Sequence, residues 1–429
     1  MIFRAFWLTL LSCSAALAQT WQISEMAPMP EPVTNNAVCE GFNTSGSFVY
    51  SFAGIDSSLE YDGIHLRSFR YNIDTNVWDS IPSLPDNEGK IACSASRVGD
   101  VIYIIGGYHV AQNGTETSSA KVHRYNINTN QYLSDGVDIP VPIDDQVQAV
   151  WRDSLIYVIT GWSNTGNVTD VQVYHPGVNT WAAGTSVPVP DNYRVFGASG
   201  TIVGDTIYYF GGAGNSNSFA AREQVRRGVI NPDIPTEIEW STFEFDSDVK
   251  GYRNACTESF GSIYWLGGSD VSYNFDAIAY NGTGVVSPTN RNLGYNHSTG
   301  SWGLDTDHNL PMDLRGIGNI SDSEKYIVGG MWDGQEVSNK TLRLEWRASP
   351  NSVENQSASN LLYPNPAINF IHIDKSLGFK HYAIFGLDGR PVLSGLIEYQ
   401  INISELISDI YIIKLNSEDG FIYQRFVKQ

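Results

Sequence analysis

The stretch Val101-Ile-Tyr-Ile-Ile-Gly-Gly107 decides the fold, because related stretches occur at five other places along the chain. Each is a short hydrophobic strand that contains a tyrosine and ends at a glycine. The glycines recur at intervals of 51–62 residues, at Gly54, Gly107, Gly161, Gly212, Gly268 and Gly330. A period near 50 residues indicates a repeat architecture, in which each unit becomes stable only by stacking on its neighbours.

A second pattern follows the glycine in most units. Tyr71 and Trp78 enclose the polar turn Asn-Ile-Asp-Thr-Asn-Val, and Tyr174 and Trp181 enclose a similar turn. Aromatic residues on both sides of an Asn-rich turn indicate a hairpin, so each unit is predicted to hold four strands. This arrangement resembles the kelch motif over roughly residues 20–348. The resemblance implies blades of a β-propeller.

The two ends of the repeat region predict how the ring closes. The last unit has strands ending at Gly330 and at Trp346, and it lacks a fourth strand. Trp21 stands before Pro28 and Pro30 at the spacing that Trp181 shows to its own prolines, so residues 21–30 read as the missing outer strand. The predicted fold is therefore all-β, a six-bladed kelch-type β-propeller closed by the N-terminal strand, which leaves no exposed sheet edge.

The remaining segments flank this propeller, which we place at residues 19–348. Residues 1–18 resemble an export signal peptide, with a basic start, an apolar stretch and the cleavage site Ala16-Leu-Ala18. A lipoprotein-like sequence that ends at Cys13 is the weaker alternative. Residues 349–360 are polar and aperiodic, as in a linker. Residues 361–429 contain short hydrophobic runs between turns and predict a small antiparallel β-sandwich.

The C-terminal segment resembles the sorting domain of type IX secretion cargo. The shared features are Tyr363-Pro-Asn-Pro366, the turn at Gly389-Arg390, Ile403-Ser-Glu-Leu406 before Ile410-Tyr411, and the closing Arg425-Phe-Val-Lys428. Asp409 stands where the family usually has glycine. The resemblance implies a bacterial protein exported to the cell surface or the medium, with the type IX machinery as the partner of residues 361–429.

Composition excludes some functions. The chain has a net charge of −20, so nucleic-acid binding is not expected, because phosphate contacts need a basic face. No transmembrane segment is expected, because no apolar run is long enough. Removal of the signal would leave Cys39, Cys93 and Cys256, each on the innermost strand of a different blade. We expect them to be small, inert core residues without a disulfide.

A ligand site is expected on one face of the ring. In a four-stranded meander, the residues before the first strand and those after the glycine share one end of the central channel. This face is predicted to carry cations and aromatic platforms suited to a sugar or carboxylate ligand, although an arginine at the head of a blade can also tie blades together. The candidates are Lys90, Tyr108, His109, Trp162, Arg194, Arg253, Asp270, Arg315, Trp332 and Asp333.

Catalytic motifs are scarce. The histidines lack metal-ligand spacing, and no nucleophile or zinc motif occurs, so neither metal nor cofactor is expected. Acidic pairs such as Asp144-Asp145 are interpreted as solvated turns. We expect a non-catalytic module that binds a glycan or protein partner. The alternative is a carbohydrate-active enzyme that resembles the exported kelch-type sialic acid mutarotases (N-acetylneuraminate epimerase), which needs an acid/base pair and a carboxylate-binding arginine.

Overall fold

The computed structural model describes residues 19–348 except 217, 246–247 and 307, and residues 362–429 except 374–378, 387–390, 398–399 and 418–419. The expected signal peptide, the linker and the Gly389-Arg390 turn lie outside the described residues. Gln19–Arg347 form one compact unit, and the residues from Ala348 onward belong to a second.

Within residues 19–348, each sequence unit forms one antiparallel meander whose strands follow chain order, except that the outer strand of the last sheet comes from the N-terminus. Sheet 1 contains Ala37–Asn43, Gly46–Ile55, Ile64–Asn72 and Val77–Ile81. Sheet 2 contains Ile91–Val98, Val101–Val110, Val122–Asn126 and Gln131–Tyr132, with Glu116–Ser118 paired to its second strand. Sheet 3 contains Val147–Trp151, Leu155–Ile159, Val171–His175 and Thr180–Ala183.

The second half repeats this plan. Sheet 4 contains Phe196–Val203, Thr206–Ala213, Gln224–Ile230 and Ile238–Glu244. Sheet 5 contains Ala255–Ser259, Ser262–Leu266, Asn292–Asn296 and Trp302–Asp305. Sheet 6 contains Gly318–Ser321, Glu324–Val328, Thr341–Ala348 and, at its outer edge, the N-terminal strand Gln19–Glu25.

Shorter elements complete the loops between these strands. Trp162–Ser163 pairs with Gly166–Asn167, Met331–Trp332 pairs with Glu336–Val337, and Arg315–Gly316 runs parallel to the first strand of sheet 1. Tyr61–Gly63 and Asp333–Gln335 are single 3₁₀ turns.

The repeated glycine lies in or just after the second strand of its sheet, at a point where the backbone adopts the left-handed region. Gly107 has a φ of 84°, and a Cβ built on it would lie 2.7 Å from the carbonyl oxygen of Ile91. Ala53 and Thr160, which replace a glycine in units one and three, have φ values of 54° and 46°. These two residues keep the turn although a side chain there is strained, so the turn is a requirement of the fold.

A circuit of hydrogen bonds joins the six sheets at the end where their first strands begin. The N–H groups of Asp145, Gly197 and Arg253 donate to the carbonyl oxygens of Ala92, Asp145 and Gly197 at 2.8–3.1 Å. Leu314 donates to Arg253, Asn35 donates to Asp313, and the circuit closes where Ala92 donates to Asn35 Oδ1 at 2.8 Å. We call the six left-handed residues of this circuit the mouth ring: Asn35, Ala92, Asp145, Gly197, Arg253 and Asp313.

The C-terminal unit consists of two antiparallel sheets. One contains Leu362–Tyr363, Phe370–Ile373 and Gln400–Asn402. The other has the order Pro391–Leu396, His381–Phe385, Asp409–Ser417 and Gly420–Lys428. Ile371, Ile384, Ile413 and Phe426 are buried in one apolar cluster, so this unit has a core of its own.

The closure by the N-terminal strand predicts a specific loss of stability. Trp21 is 1% exposed and packs edge-on against Tyr264 and Trp346 at centroid distances of 5.6 and 5.0 Å. Trp21→Ala is expected to lower the free energy of unfolding by about 3–5 kcal/mol, because it removes a buried indole from the seam that closes the ring. Urea denaturation followed by circular dichroism measures this loss.

Trp302→Ala is the matched control, because Trp302 is 36% exposed. The free energy of unfolding of the Trp302→Ala variant should fall by less, about 1 kcal/mol. An equal loss for the two variants would show that the N-terminal strand carries no special share of the closure.

Candidate functional site

The structure brings two of the predicted site residues, Tyr108 and Trp162, into one pocket beside the mouth ring. The pocket has a volume of about 110 Å³. We call it the mouth pocket, and its lining residues are Tyr108, Glu116, Asp144, Asp145, Trp162, Phe196, Phe219 and Tyr280. Five of these eight side chains are aromatic and the other three are carboxylic acids.

The aromatic rings form a box of nearly perpendicular walls. Trp162, Phe196 and Phe219 lie 5.6 Å apart, centroid to centroid, in each of their three pairs, with interplanar angles of 68–81°. Tyr280 lies 5.1 Å from Phe219 at 66°. Edge-to-face packing of this kind is favourable for aromatic pairs and holds the ring orientations.

Local backbone pairing positions these side chains. Trp162 follows the unit-three glycine, and its N–H and carbonyl pair with those of Asp144 at 2.9 Å in each direction. Phe219 lies in the loop after the unit-four glycines, and Tyr280 lies in the extra residues between Asp270 and Tyr295. The mouth pocket is therefore built from residues of units two to five, and three of its walls come from the loops that carry Trp162, Phe219 and Tyr280.

Two of the three acids, Asp144 and Glu116, stand apart from the ion network that holds Asp145. Asp144 is 4% exposed, and Ser118 Oγ donates to its Oδ2 at 2.6 Å. Burial and the neighbouring Asp145 carboxylate raise the pKa of Asp144 well above its usual value. Glu116 stands exposed at the rim, and partial desolvation also raises its pKa. The interpretation of Asp144-Asp145 as a solvated turn is wrong, because both side chains are buried.

The third acid, Asp145, belongs to a buried ion network centred on Arg253. Arg253 is 0% exposed, and its Nη2 and Nε donate to the two oxygens of Asp145 at 2.6 and 3.1 Å. Its Nη1 donates to Asp313 Oδ1 at 2.8 Å. The expected place of Arg253 on an open ligand face is thus corrected, because the guanidinium is enclosed and ties three units of the mouth ring.

Arg315 and Lys90 are enclosed as well. Arg315 Nη1 lies 3.4 Å from Asp145 Oδ1, and its Nη2 donates to the carbonyl oxygen of Gln146 at 2.8 Å. Lys90 Nζ pairs with Asp86 Oδ2 at 2.5 Å. Both side chains are buried, so the placement expected from the sequence does not hold for them either.

Three other candidates lie near the surface outside the mouth pocket. Arg194 pairs weakly with Asp191 at 3.4 Å, and His109 Nε2 lies 3.6 Å from Glu88 Oε1. Asp270 is exposed. Burial lowers the pKa of the Arg291 guanidinium, and the negative charge of Asp270 opposes this lowering. These residues stay candidates for the outer part of a ligand contact.

Trp332 and Asp333 line a different recess of about 590 Å³, together with Asn309 and Lys340. Lys340 Nζ lies 5.3 Å from the centre of the Trp332 ring, and Ser287 Oγ donates to Asp333. The structure therefore places Trp162 and Trp332, two candidates for one ligand site, in separate recesses.

The central channel is a separate polar cavity of about 500 Å³. The first strands of the sheets line it, and Arg315, Cys39 and Cys256 are on its wall. The cysteines Cys39, Cys93 and Cys256 form no disulfide, and burial raises the pKa of each thiol. The described residues contain no cluster of three or more His, Cys, Asp or Glu placed to hold a metal ion.

Sequence reasoning missed the other six lining residues, which are Glu116, Asp144, Asp145, Phe196, Phe219 and Tyr280. The sequence pattern predicts a solvated turn at Asp144. Alignment of the six units does contain a signal against this prediction, because it places Asp144 directly before a residue of the mouth ring. Phe219 and Tyr280 lie in the longer loops of units four and five, which have no equivalent in the repeat. Only the folded structure brings these loops over the ring.

The Arg253 network predicts a large cost when its cation is removed. Arg253→Ala is expected to lower the free energy of unfolding by about 3–5 kcal/mol, because Asp145 and Asp313 would lose a buried partner. The exposed pair of Arg152 and Asp205 is the control, since Arg152→Ala should cost about 1 kcal/mol or less. Denaturant titration compares the two variants, and similar small losses would contradict the structural role of Arg253.

The raised pKa of Asp144 predicts a pH dependence. A carboxyl whose pKa rises on folding favours the fold in acid and destabilises it as pH increases through the folded-state pKa. Asp144→Asn removes this penalty and keeps an acceptor for Ser118. The melting temperature of the variant relative to the parent should therefore increase between about pH 4 and about pH 8.

Asp270→Asn, at an exposed position, controls for general effects of the exchange. A relative melting temperature of Asp144→Asn that stays constant or falls across this pH range would contradict the assignment. Differential scanning calorimetry at a series of pH values provides the measurement.

Comparison with known proteins places the geometry in context. Residues 361–429 match the family model of the secretion system C-terminal sorting domain. The chain is 27% identical over 203 residues to Kelch-like protein terF of Aspergillus terreus, covering 46% of this chain and 41% of that protein. It is 25% identical over 176 residues to Kelch-like protein 36 of Bos taurus, covering 41% of this chain and 26% of that protein. The chain spans less than half the length of these curated relatives.

The solved structure of YjhT superposes with a TM-score of 0.59 at 14% identity, covering 74% of this chain and 96% of that one, and this likeness concerns the fold alone. No helix in the described part of the chain is both long and apolar enough to cross a membrane. The sorting domain makes the protein a secreted or cell-surface protein of a bacterium. The chain is thus a kelch-repeat β-propeller followed, at residues 361–429, by a C-terminal sorting domain of the type IX secretion system.

Proposed function

We propose that the propeller is a non-catalytic binding module whose ligand docks at the mouth pocket. The observation that carries this proposal is the aromatic box beside the mouth ring, with the acids Glu116 and Asp144 on its wall. Ligand sites are typically concave and aromatic, with a few placed polar groups that fix orientation.

A glycan is the ligand class that this lining favours. The aromatic faces offer apolar area to the C–H faces of a sugar ring, and the carboxyl groups can bond its hydroxyls. Tyr108 and Tyr280 add hydroxyl groups that make no side-chain hydrogen bond to other described residues. A protein partner that presents an exposed side chain is the competing outcome.

A mutarotase-like enzyme is the second candidate. Asp144, with its raised pKa, and Glu116 at the rim would form an acid/base pair across a small pocket. The arginine that such an enzyme needs for a carboxylate substrate has no counterpart among the described residues that line the pocket, because Arg253 and Arg315 pair with Asp145. This absence of a free cation favours binding over mutarotation of an acidic sugar.

Export supplies the setting for this function. We propose that residues 1–18 direct passage across the inner membrane, and the sorting domain directs passage across the outer membrane. A surface-exposed or released propeller would meet glycans outside the cell. The negative charge of the chain suits a ligand that is neutral or cationic.

A glycan array with residues 19–429, which we call the mature chain, tests the proposal. We expect at least one glycan to bind, and Trp162→Leu to weaken that binding about tenfold or more, because the indole is one wall of the box. Trp302→Leu is the control, since Trp302 does not line the mouth pocket. Equal binding by both variants would place the site elsewhere, and release of an altered sugar would favour the enzyme.

A further inference from the structure

The mouth pocket carries an excess of negative charge. Arg253 and Arg315 contact Asp145, and Arg253 also contacts Asp313, so these two cations and two anions balance within the ring. Of the two remaining acids, Glu116 supplies negative charge at the exposed rim. Asp144, whose pKa is raised by burial, contributes carboxyl oxygens, and Ser118 is the one side chain among described residues that bonds it. The described lining of the pocket contains no Lys, Arg or His.

The aromatic walls attract the same sign of charge. A ring presents negative potential at its face, so a cation held among several faces gains an electrostatic contribution from each. Trp162, Phe196 and Phe219 stand nearly perpendicular to one another, and Tyr280 adds a fourth ring beside Phe219. Aromatic faces and carboxyl groups therefore act in the same direction.

Size and chemistry distinguish among cations. The pocket volume of about 110 Å³ is far larger than a bare metal ion. The described residues also include no cluster of three or more His, Cys, Asp or Glu placed to hold such an ion. The space is sufficient for an ammonium nitrogen with its attached carbons.

We propose that the mouth pocket is a cage for an alkylammonium group of the ligand. This inference rests on the proposed function and defines the chemistry of the same site. The nitrogen lies among the rings of Trp162, Phe219 and Tyr280, and Glu116 at the rim compensates its charge. The remainder of the ligand extends out of the pocket over the channel mouth.

Tetramethylammonium is the probe for this cage, and neopentyl alcohol is its neutral counterpart of similar shape. Each is titrated into the mature chain at constant ionic strength and followed by saturation-transfer NMR. We expect saturable binding of tetramethylammonium and binding of the alcohol that is weaker by about tenfold or more. Equal affinities would overturn the proposal, because they would leave only apolar burial.

Two variants locate the effect. Glu116→Gln keeps the shape of an exposed side chain and removes its charge, so tetramethylammonium should bind about tenfold more weakly. Glu336→Gln is the matched control, because Glu336 is exposed and lines the separate recess at Trp332. The affinity of the Glu336→Gln variant for tetramethylammonium should stay within about twofold of the parent. Equal weakening by both variants would indicate a general surface-charge effect and contradict the cage.

Competition separates this inference from the proposed function. Choline, glucosamine and N-acetylglucosamine compete with labelled tetramethylammonium, and the two amines should displace it whereas the acetylated sugar should not. The relative affinities of choline and glucosamine distinguish a quaternary headgroup from an amino sugar. If an array glycan depends on Trp162 but is not displaced by tetramethylammonium, the binding function holds and the cage is wrong.

Discussion

The contact between Arg253 and the carboxylates of Asp145 and Asp313 is the constraint on which the rest of the propeller depends. It joins sheets that are far apart in the sequence, at the point where the circuit of backbone hydrogen bonds passes through Asp145, Arg253 and Asp313. A buried guanidinium is unfavourable unless its charge and donors are matched. The fold therefore fixes two aspartates beside the ring, and it fixes the conformation of the loops that carry them.

The candidate site follows from this arrangement. Because Asp145 is committed to Arg253, the adjacent Asp144 faces a pocket whose described lining contains no Lys, Arg or His. The longer loops of units four and five then add Phe219 and Tyr280 as further walls. The same ring that stabilises the propeller thus supports a pocket that is acidic and aromatic, and this combination selects against an anionic ligand.

The sequence was informative where a residue has the same role in every unit. The glycines at the strand ends predicted the sheets, and the Trp21 spacing predicted the edge strand of sheet 6, since packing and backbone constraints repeat with the blade. Arg253 could not be assigned in this way, because a charge before a strand looks the same whether a ligand or a buried aspartate faces it. The pocket walls could not be predicted either, since Phe219 and Tyr280 lie in loops outside the repeat.

Hydrogen–deuterium exchange of the mature chain with and without saturating tetramethylammonium tests the central claim that the mouth pocket is the binding site. Binding should protect amides in peptides that contain Trp162, Phe219 and Tyr280, because these three loops close around the bound group. Protection confined to the recess at Trp332 or to the strands that line the channel, with no change at Trp162, Phe219 and Tyr280, would contradict it.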